Sequence, residues 1–485
     1  MRTMASTGRR PSVLLITADQ MRHDCLGVAG RPVLRTPHLD ALASRGVHFT
    51  NAYTPFPVCV PARMSLLSGQ YAHAHGAVHN QTMLAPGQST LPRLVRDAGY
   101  RTGAFGKMHF WPPYADVGFE RMRLAEQNGT GWKIDDYHSG HLAERGLVDQ
   151  WDLWDQHQPY RDQAPPEYWS SFGARASELP EAHYHTTWIA DETISWLGSG
   201  DGRPFFAWVS FIKPHHPFDP PRPWDALYDP AAMPALGDPG AALAKPLMTA
   251  GGRRDPRRSY FDLRGFTQQD FGRVAAMYYA TITHIDHHVG RILTALGELG
   301  QLEDTLVVFA SDHGDYMGDY GLILKSPSIP YDSLARVPLV AAGPGCRPGT
   351  ASDALVSLVD ILPTVAGLAG APVPASVQGR DLAPLLRGDP GAGWRDAVFS
   401  ESGHVKAVRT ARHKYLYNHR LGIDELYDLE TDPGELRDIA GEPGAAAVVT
   451  EMRRRLLDWM IETEWDRNPQ AGGWPDLVDR RWLPE

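Results

Sequence analysis

Four short apolar runs punctuate the chain, and each ends in a polar cluster. Val13-Leu14-Leu15-Ile16-Thr17 leads into Asp19-Gln20, and Arg101-Thr102-Gly103-Ala104-Phe105 into Gly106-Lys107-Met108-His109. Phe205 to Phe211 leads into Lys213-Pro214-His215-His216, and Thr305 to Ala310 into Ser311-Asp312-His313-Gly314. Runs that stay apolar at consecutive positions suit strands covered on both faces, so they predict a parallel sheet flanked by helices. Helical periodicity fills the intervals. Pro37 to Gly46 carries Leu39, Ala41 and Leu42 on one side, with Thr36 as the expected cap. Phe271 to Leu299 repeats apolar side chains at Val274, Met277, Tyr278, Ile282, Ile285, Val289, Ile292 and Leu293, the stripe of a long amphipathic helix. Pro112 to Leu179, rich in Trp, Tyr, Asp and His, and the Pro/Gly-rich stretch Pro220 to Gly265 read as long loops or insertions. Ligands bind beyond the carboxyl ends of strands in such sheets. The four polar clusters are therefore expected at one edge, in a single site.

The pattern changes after the Pro/Gly/Ala-rich stretch Ala369 to Ser376. Ala397 to Glu401, Lys406 to Thr410 and Lys414 to Tyr417 read as short strands, followed by Glu425-Leu426-Tyr427-Asp428-Leu429 and an amphipathic helix from Ala445 to Trp465. The expected fold class is α/β: a large mixed, mostly parallel sheet flanked by helices in residues 1–375, with a small C-terminal α+β subdomain in residues 376–485. A chain of 485 residues exceeds one ordinary core.

Composition excludes some classes. A net charge of −10 with no basic stripe argues against a nucleic-acid partner. Three Cys, an odd and sparse set, indicate no disulfide framework. The run Val13 to Ile16 is too short for a signal-peptide core and no stretch reaches the length of a membrane span, so a cytoplasmic protein without membrane association is expected. Arg outnumbers Lys by 40 to seven, yet Lys107, Lys213 and Lys325 fall in the polar motifs. Lys can lose its proton when buried beside other cations, whereas Arg cannot, which makes these three candidates for proton chemistry. Trp474 to Trp482 is a candidate subunit contact, so a homo-oligomer stays open.

The polar clusters support specific chemistry. Asp19, Gln20 and Asp312 offer oxygens of the kind Ca²⁺ or Mg²⁺ takes, while the nitrogen of His313 keeps Mn²⁺ and Zn²⁺ open. Pro61 suits the first turn of a helix, which would place Cys59 at a helix N-terminus, where free N–H groups favour an anion. Arg63, one turn on, has forked donors for the same anion. His73-Ala74-His75 and His284-Ile285-Asp286-His287-His288 also carry metal-binding side chains, but their spacing alone does not make a zinc set, and they read as helix faces.

The run Cys59-Val60-Pro61-Ala62-Arg63, continuing to Ser68-Gly69, resembles the maturation signature Cys-x-Pro-x-Arg of the type I sulfatases, in the alkaline phosphatase superfamily. The resemblance extends from Val13 to about Trp465, and its motifs come in family order. It implies that a formylglycine-generating enzyme converts Cys59 to formylglycine, whose hydrate is the nucleophile. It further implies that Asp19, Gln20, Asp312 and His313, with residue 59, hold a divalent metal, Ca²⁺ being the first expectation and Mn²⁺ or Mg²⁺ the alternatives. Lys107 and His109 match the family's Gly-Lys-x-His pair, for sulfate binding and for action on the covalent intermediate. His215 matches its Pro-His-x-Pro histidine and Lys325 its second sulfate-binding lysine, which would bind the substrate and protonate the leaving oxygen. Asn80 is a further candidate sulfate contact. Many sulfatases carry Asp at the position of Gln20 and Asn at that of His313; the Asp-Gln with Asp-His form is similar to the branch of choline sulfatases and phosphonate monoester hydrolases. The expected reaction is hydrolysis of a small-molecule sulfate monoester, favoured by the Lys107/His109 pair. The alternative is a phosphonate monoester or phosphate diester hydrolase with the same nucleophile and metal set. A non-catalytic binding protein is the reading from a different class, and no expected catalytic position is missing to support it.

Overall fold

The computed structural model describes residues 10–31, 33–126, 136–156, 158–250, 255–389 and 393–465. Two sheets organise them. The first has nine strands: β1 (Ser12–Asp19), β2 (Gly46–Tyr53), β3 (Arg101–Gly106), β4 (Arg121–Leu124), β5 (Phe205–Pro214), β6 (Thr305–Ser311), β7 (Arg336–Ala342), β8 (Thr350–Ser352) and β9 (Val356–Ser357). Their order is β4-β3-β5-β1-β6-β7-β2-β8, with β9 also pairing β2. The four strands that carry the apolar runs are consecutive in this order, β3-β5-β1-β6, and mutually parallel. β7 runs antiparallel to both neighbours, β6 and β2, so the sheet is mixed but mostly parallel.

Strand alternation explains why these runs are apolar throughout. Leu14 and Ile16 of β1 enter one core with Ala207 and Val209, while Val13 and Leu15 enter a second with Phe206 and Trp208. Each face is covered by helices. Helices α1 (Pro37–Ser44), α3 (His185–Gly198) and α4 (Gln268–Glu298) pack on the first face, and α2 (Cys59–Ser68) and α5 (Ile361–Ala369) on the second. Helix α4 spans 31 residues and begins with a capping box between Thr267 and Asp270.

The second sheet is antiparallel, in the order β10 (Ala397–Ser402), β11 (Val405–Thr410), β12 (His413–Asn418) and β13 (Ile423–Asp428). Helix α6 (Ala446–Trp465) covers it, setting Val449, Met452, Leu456 and Trp459 against Val408, Tyr415 and Leu426. Among the described residues, no helix is long and apolar enough to cross a membrane. Cys25, Cys59 and Cys346 are free thiols. The segment Trp474 to Trp482 lies outside the described residues.

Two local expectations differ from the structure. Helix α1 forms as its pattern predicts, but Thr36 does not cap it; its hydroxyl accepts from Gly27 N (2.8 Å) and donates to Asp40 (3.1 Å) instead. The stretches read as long loops hold short helices: Tyr137–Ala143, Gln150–Gln156 and Pro166–Ser170 in one, Pro239–Ala244 and Pro246–Thr249 in the other, together with the edge strand β4. Local caps nucleate these single turns where no long period exists. Asp136 and Asp238 each accept a backbone N–H of the first turn, and Pro166, Pro239 and Pro246 supply a preset φ at the helix start.

Candidate active site

Residue 59 opens helix α2, with Val58 as extended N-cap and every residue of the helix buried. Gly69 closes it in the left-handed region at φ 67°, where a Cβ would approach Val377 to 2.9 Å. Asn80 Oδ1 accepts from Val60 N at 3.2 Å, satisfying one free N–H of the first turn. The thiol then lies beneath a cleft of about 320 Å³ lined by Asn80, Lys107, His109, His215 and Lys325 among others.

The four strand ends converge here as their pattern predicts. Asp19 closes β1 and puts Oδ1 3.6 Å from the Cys59 sulfur. His313, after β6, places Nε2 3.2 Å from that sulfur and 3.5 Å from Asp19 Oδ1. The His313 Nδ1–H is directed at Gly314 O (2.9 Å), which leaves the Nε2 lone pair facing the cluster. Lys325 Nζ reaches the sulfur at 3.3 Å and donates to Gln20 Oε1 at 2.7 Å. Lys107, after β3, pairs with Asp19 Oδ2 at 2.6 Å. Arg63 sits under the cluster at 1% exposure. It donates Nε to Asp312 Oδ2 (2.8 Å) and Nη1 to Ser210 Oγ (2.8 Å) and to Lys107 O. Gln20, His109 and Leu324 all have positive φ, at 68°, 57° and 67°, so three of the turns that aim these side chains hold a backbone conformation non-glycine residues avoid.

Electrostatics follow from this packing. Burial pushes the Cys59 thiol up, but Lys325, His313 and Lys107 outweigh it and bring it well below the ordinary thiol range. Burial and Cys59 act the same way on Asp19, and Lys107, His215 and Arg63 overcome them, leaving the carboxyl below its usual range. Asp312 is raised, by burial first and then by Asp19. Burial would lower His313; Asp312 prevails and raises it. His215 is pushed down to about 3 by burial and by Lys325 and Lys107.

Asp19, Cys59, Asp312 and His313 are all buried, and one donor atom from each lies within 4.8 Å of the others. Gln20 Nε2 is tied to Asp315 Oδ2 at 2.6 Å, which leaves Oε1 facing Lys325, the lysine that also reaches the Cys59 sulfur. Two carboxylates, an amide oxygen and an imidazole nitrogen converging at such range fit a divalent cation. The eleven side chains expected to serve catalysis, sulfate binding and metal binding thus meet around one cleft. Lys213 does not: its Nζ turns away to Asp219 Oδ1 (2.6 Å) and Pro217 O (2.7 Å), where it is fully buried.

Three supporting residues carry no signal of their own in the sequence. Ser210 is one polar position inside an apolar strand. It reaches Arg63 because Gly106 lets β3 approach β5 so closely that a Cβ there would lie 2.1 Å from Ser210 O. Asp315 holds Gln20 and accepts the N–H groups of Met317 and Leu324. Glu126 fixes the turn before His109 by accepting Met108 N (2.9 Å) and His109 N (2.9 Å). His216, Tyr260, Arg161 and Trp111 complete the outer wall of the cleft.

Comparison with known proteins agrees with this geometry. The model of the Sulfatase family matches residues 11–371, and that of the N-sulphoglucosamine sulphohydrolase C-terminal region matches residues 318–462. An arylsulfatase of Clostridium perfringens is 32% identical, over 96% of this chain and 98% of its own length. A choline-sulfatase of Rhizobium meliloti is 30% identical, over 98% of this chain and 91% of its own. The crystal structure of a phosphonate monoester hydrolase of Agrobacterium radiobacter superposes with a TM-score of 0.79 at 29% identity, covering 94% of this chain and 96% of that one. A match that runs through both sheets and every strand end of the cleft places this chain in the sulfatase family, within the alkaline phosphatase superfamily.

Proposed function

We propose that the protein hydrolyses small-molecule sulfate monoesters through a formylglycine hydrate at residue 59. One observation carries this reading: the residue 59 side chain stands at a buried helix N-terminus, within 3.6 Å of Asp19, His313 and Lys325 at once. A thiolate there would give a Cys-sulfate with no easy exit. An aldehyde hydrate has one, because its first hydroxyl attacks sulfur and its second later expels sulfate as the aldehyde re-forms. The maturation partner is accordingly a formylglycine-generating enzyme.

Asp19, Gln20, Asp312, His313 and residue 59 would hold a divalent metal, Ca²⁺ first given the oxygen donors, with Mn²⁺ or Mg²⁺ as alternatives. Bound there, it would lower the pKa of the nucleophilic hydroxyl and polarise the sulfate oxygens. The chain's own residues do the rest. Lys107, Lys325 and Asn80 bind the sulfate oxygens, on which charge spreads in the transition state. Arg63 locks Asp312 and the Lys107 backbone, so the cation-binding and anion-binding halves share one frame. His215 protonates the leaving oxygen. Its Nδ1–H is held by His216 O (2.7 Å), which presents Nε2 to the cleft. Lys325 and Lys107 depress its pKa, and an incoming sulfate offsets both cations, so substrate binding itself favours the protonated imidazole. His109, kept neutral by burial and hydrogen-bonded toward residue 59, takes the proton from the second hydroxyl as sulfate departs.

Peptide mass spectrometry across residue 59, on protein co-expressed with a formylglycine-generating enzyme, tests the nucleophile. The aldehyde or its hydrate is expected, and an unmodified thiol under those conditions would remove it. The kinship with a phosphonate monoester hydrolase favours a second reading, a phosphonate monoester or phosphate diester hydrolase with the same nucleophile. A kcat/KM at least about tenfold higher for an aryl phosphonate than for an aryl sulfate would establish that reading instead.

A further inference from the structure

We propose that Glu181, His284 and His288 form a second metal site, suited to Zn²⁺ and separate from the cleft at Cys59. Helix α4 places His284 and His288 one turn apart on the same face. The short turn Glu181–His183, just before α3, brings a carboxylate from about one hundred residues earlier in the chain to the same point. His284 Nε2 and His288 Nε2 are 2.9 Å apart, and Glu181 Oε1 lies 3.5 Å from the first and 3.8 Å from the second. Three atoms at those separations share an equidistant point about 2.0 Å from each, which is the bond length zinc makes to imidazole nitrogen and carboxylate oxygen.

The surroundings are those of a built site. Both imidazoles are essentially buried, at 0% and 1% exposure, while the Glu181 side chain is 39% exposed and leaves an entry path and an open coordination position. Trp224 packs against His284 at a tilt of 43° with centroids 4.8 Å apart, helping to shield the ring from water. Thr187 Oγ1 stands 3.1 Å from His288 Nε2, within reach of a metal or of a water bound to it. His284 Nδ1 is buried without a hydrogen-bond partner. In the metal-free protein His284 Nε2 accepts from His288 Nε2, so its own proton sits on the unpartnered Nδ1, and a metal on Nε2 would replace that single bond without disturbing another. Two imidazoles and one carboxylate favour zinc, in contrast to the oxygen-rich set at Asp19 and Asp312.

One neighbour opposes the metal. Arg291 Nη1 donates to His288 Nδ1 at 3.0 Å, which puts the imidazole proton on Nε2, aimed at His284. Coordination requires that proton to move to Nδ1 of the same neutral ring and Arg291 to turn away, keeping its second partner Asp191 at 2.8 Å. Removing Arg291 should therefore strengthen binding, an effect that a merely structural histidine pair would not produce.

The test is zinc titration of the chelator-stripped full-length protein by calorimetry, with metal content after dialysis measured by mass spectrometry. Wild type and Asp312→Asn should both retain the site. Glu181→Gln, isosteric and at a side chain 39% exposed, should weaken it at least about tenfold, His288→Gln should lose one zinc per chain, and Arg291→Met should bind severalfold more tightly. Equal zinc stoichiometry and affinity in wild type and Glu181→Gln would overturn the proposal, as would loss of all zinc binding in Asp312→Asn.

Discussion

Replacing Lys325 with Met tests the electrostatic frame of the cleft at its most accessible member. Its ammonium makes two contacts that matter, Gln20 Oε1 at 2.7 Å and the residue 59 side chain at 3.3 Å. Methionine preserves length and apolar contact and deletes only the charged donor. A hydrogen bond to a charged group contributes about 1.5–3 kcal/mol net. If that interaction is realised with the sulfate in the transition state, kcat/KM should fall about 10- to 150-fold. Stability should change little, because Lys325 is half-buried and no carboxylate among the described residues is left unpaired by its loss. A second readout is independent of turnover. In protein expressed without the maturation enzyme, Lys325 is the largest of the charges that lower the Cys59 thiol, so the variant should need higher pH for alkylation by iodoacetamide. The assay is a pair of measurements, aryl sulfate kinetics on converted enzyme and alkylation rate against pH on unconverted protein. A loss of less than about threefold in kcat/KM together with an unmoved alkylation profile would refute the reasoning.

Three further outcomes are expected. Asp315→Asn replaces the acceptor that fixes Gln20 Nε2 and should cost about 10- to 100-fold in divalent-metal affinity, read by chelator competition, through the loss of Gln20 orientation. Lys213→Met leaves Asp219 buried without its cation and should destabilise the fold by about 3–5 kcal/mol in urea unfolding, although Lys213 touches nothing in the cleft. Glu126→Gln tests a pH effect: burial raises the Glu126 carboxyl to about 7, above its unfolded value near 4.5. Its contribution to stability is therefore complete below about 4.5 and lost as pH rises through about 7, amounting to about 3 kcal/mol. The variant should show a stability profile flatter by that amount between those pH values.

The sequence made the centre of the sheet legible and its margins not. Runs such as Val13 to Ile16 can be apolar at every position because both faces of β1 are covered, and that leaves no ambiguity with an amphipathic element. Strand β2 carries His48, Thr50 and Asn51 and follows α1 directly, so it offers neither a run nor a turn signal; its antiparallel pairing with β7 is a tertiary choice. Strand β4, Arg121-Met122-Arg123-Leu124, lies at the edge and is polar for that reason. In the site, the side chains that touch the cleft sit in short recognisable motifs, several of them at strand ends, whereas Ser210 acts through Arg63 and Glu126 through a turn, with partners that only folding supplies. Glu181 and the α4 histidines are the same case at longer range. A pair one turn apart on a helix is visible in the sequence, but the third ligand is not.

Charge balance explains why sulfate and phosphonate esters compete as readings of one cleft. Arg63 and Lys107 are each matched by a buried carboxylate, Asp312 and Asp19. Lys325 is matched by the neutral amide of Gln20. An Asp at position 20, as many sulfatases carry, would neutralise Lys325 and add a third carboxylate beside the thiol. With Gln there, the cleft keeps one positive charge more, facing the position where the ester oxygens would lie. Sulfate monoesters, phosphonate monoesters and phosphate diesters are all monoanions at neutral pH, so that added charge attracts all three alike. Discrimination is then left to the outer wall, where His216, Tyr260, Arg161 and Trp111 line the cleft and would face the organic group. Gln20→Glu separates the two contributions. It should weaken turnover of aryl sulfate and aryl phosphonate by a similar factor, because both monoanions lose the same attraction. A change of more than about tenfold in their ratio would mean that position 20 selects between the acids themselves and that the charge argument is wrong.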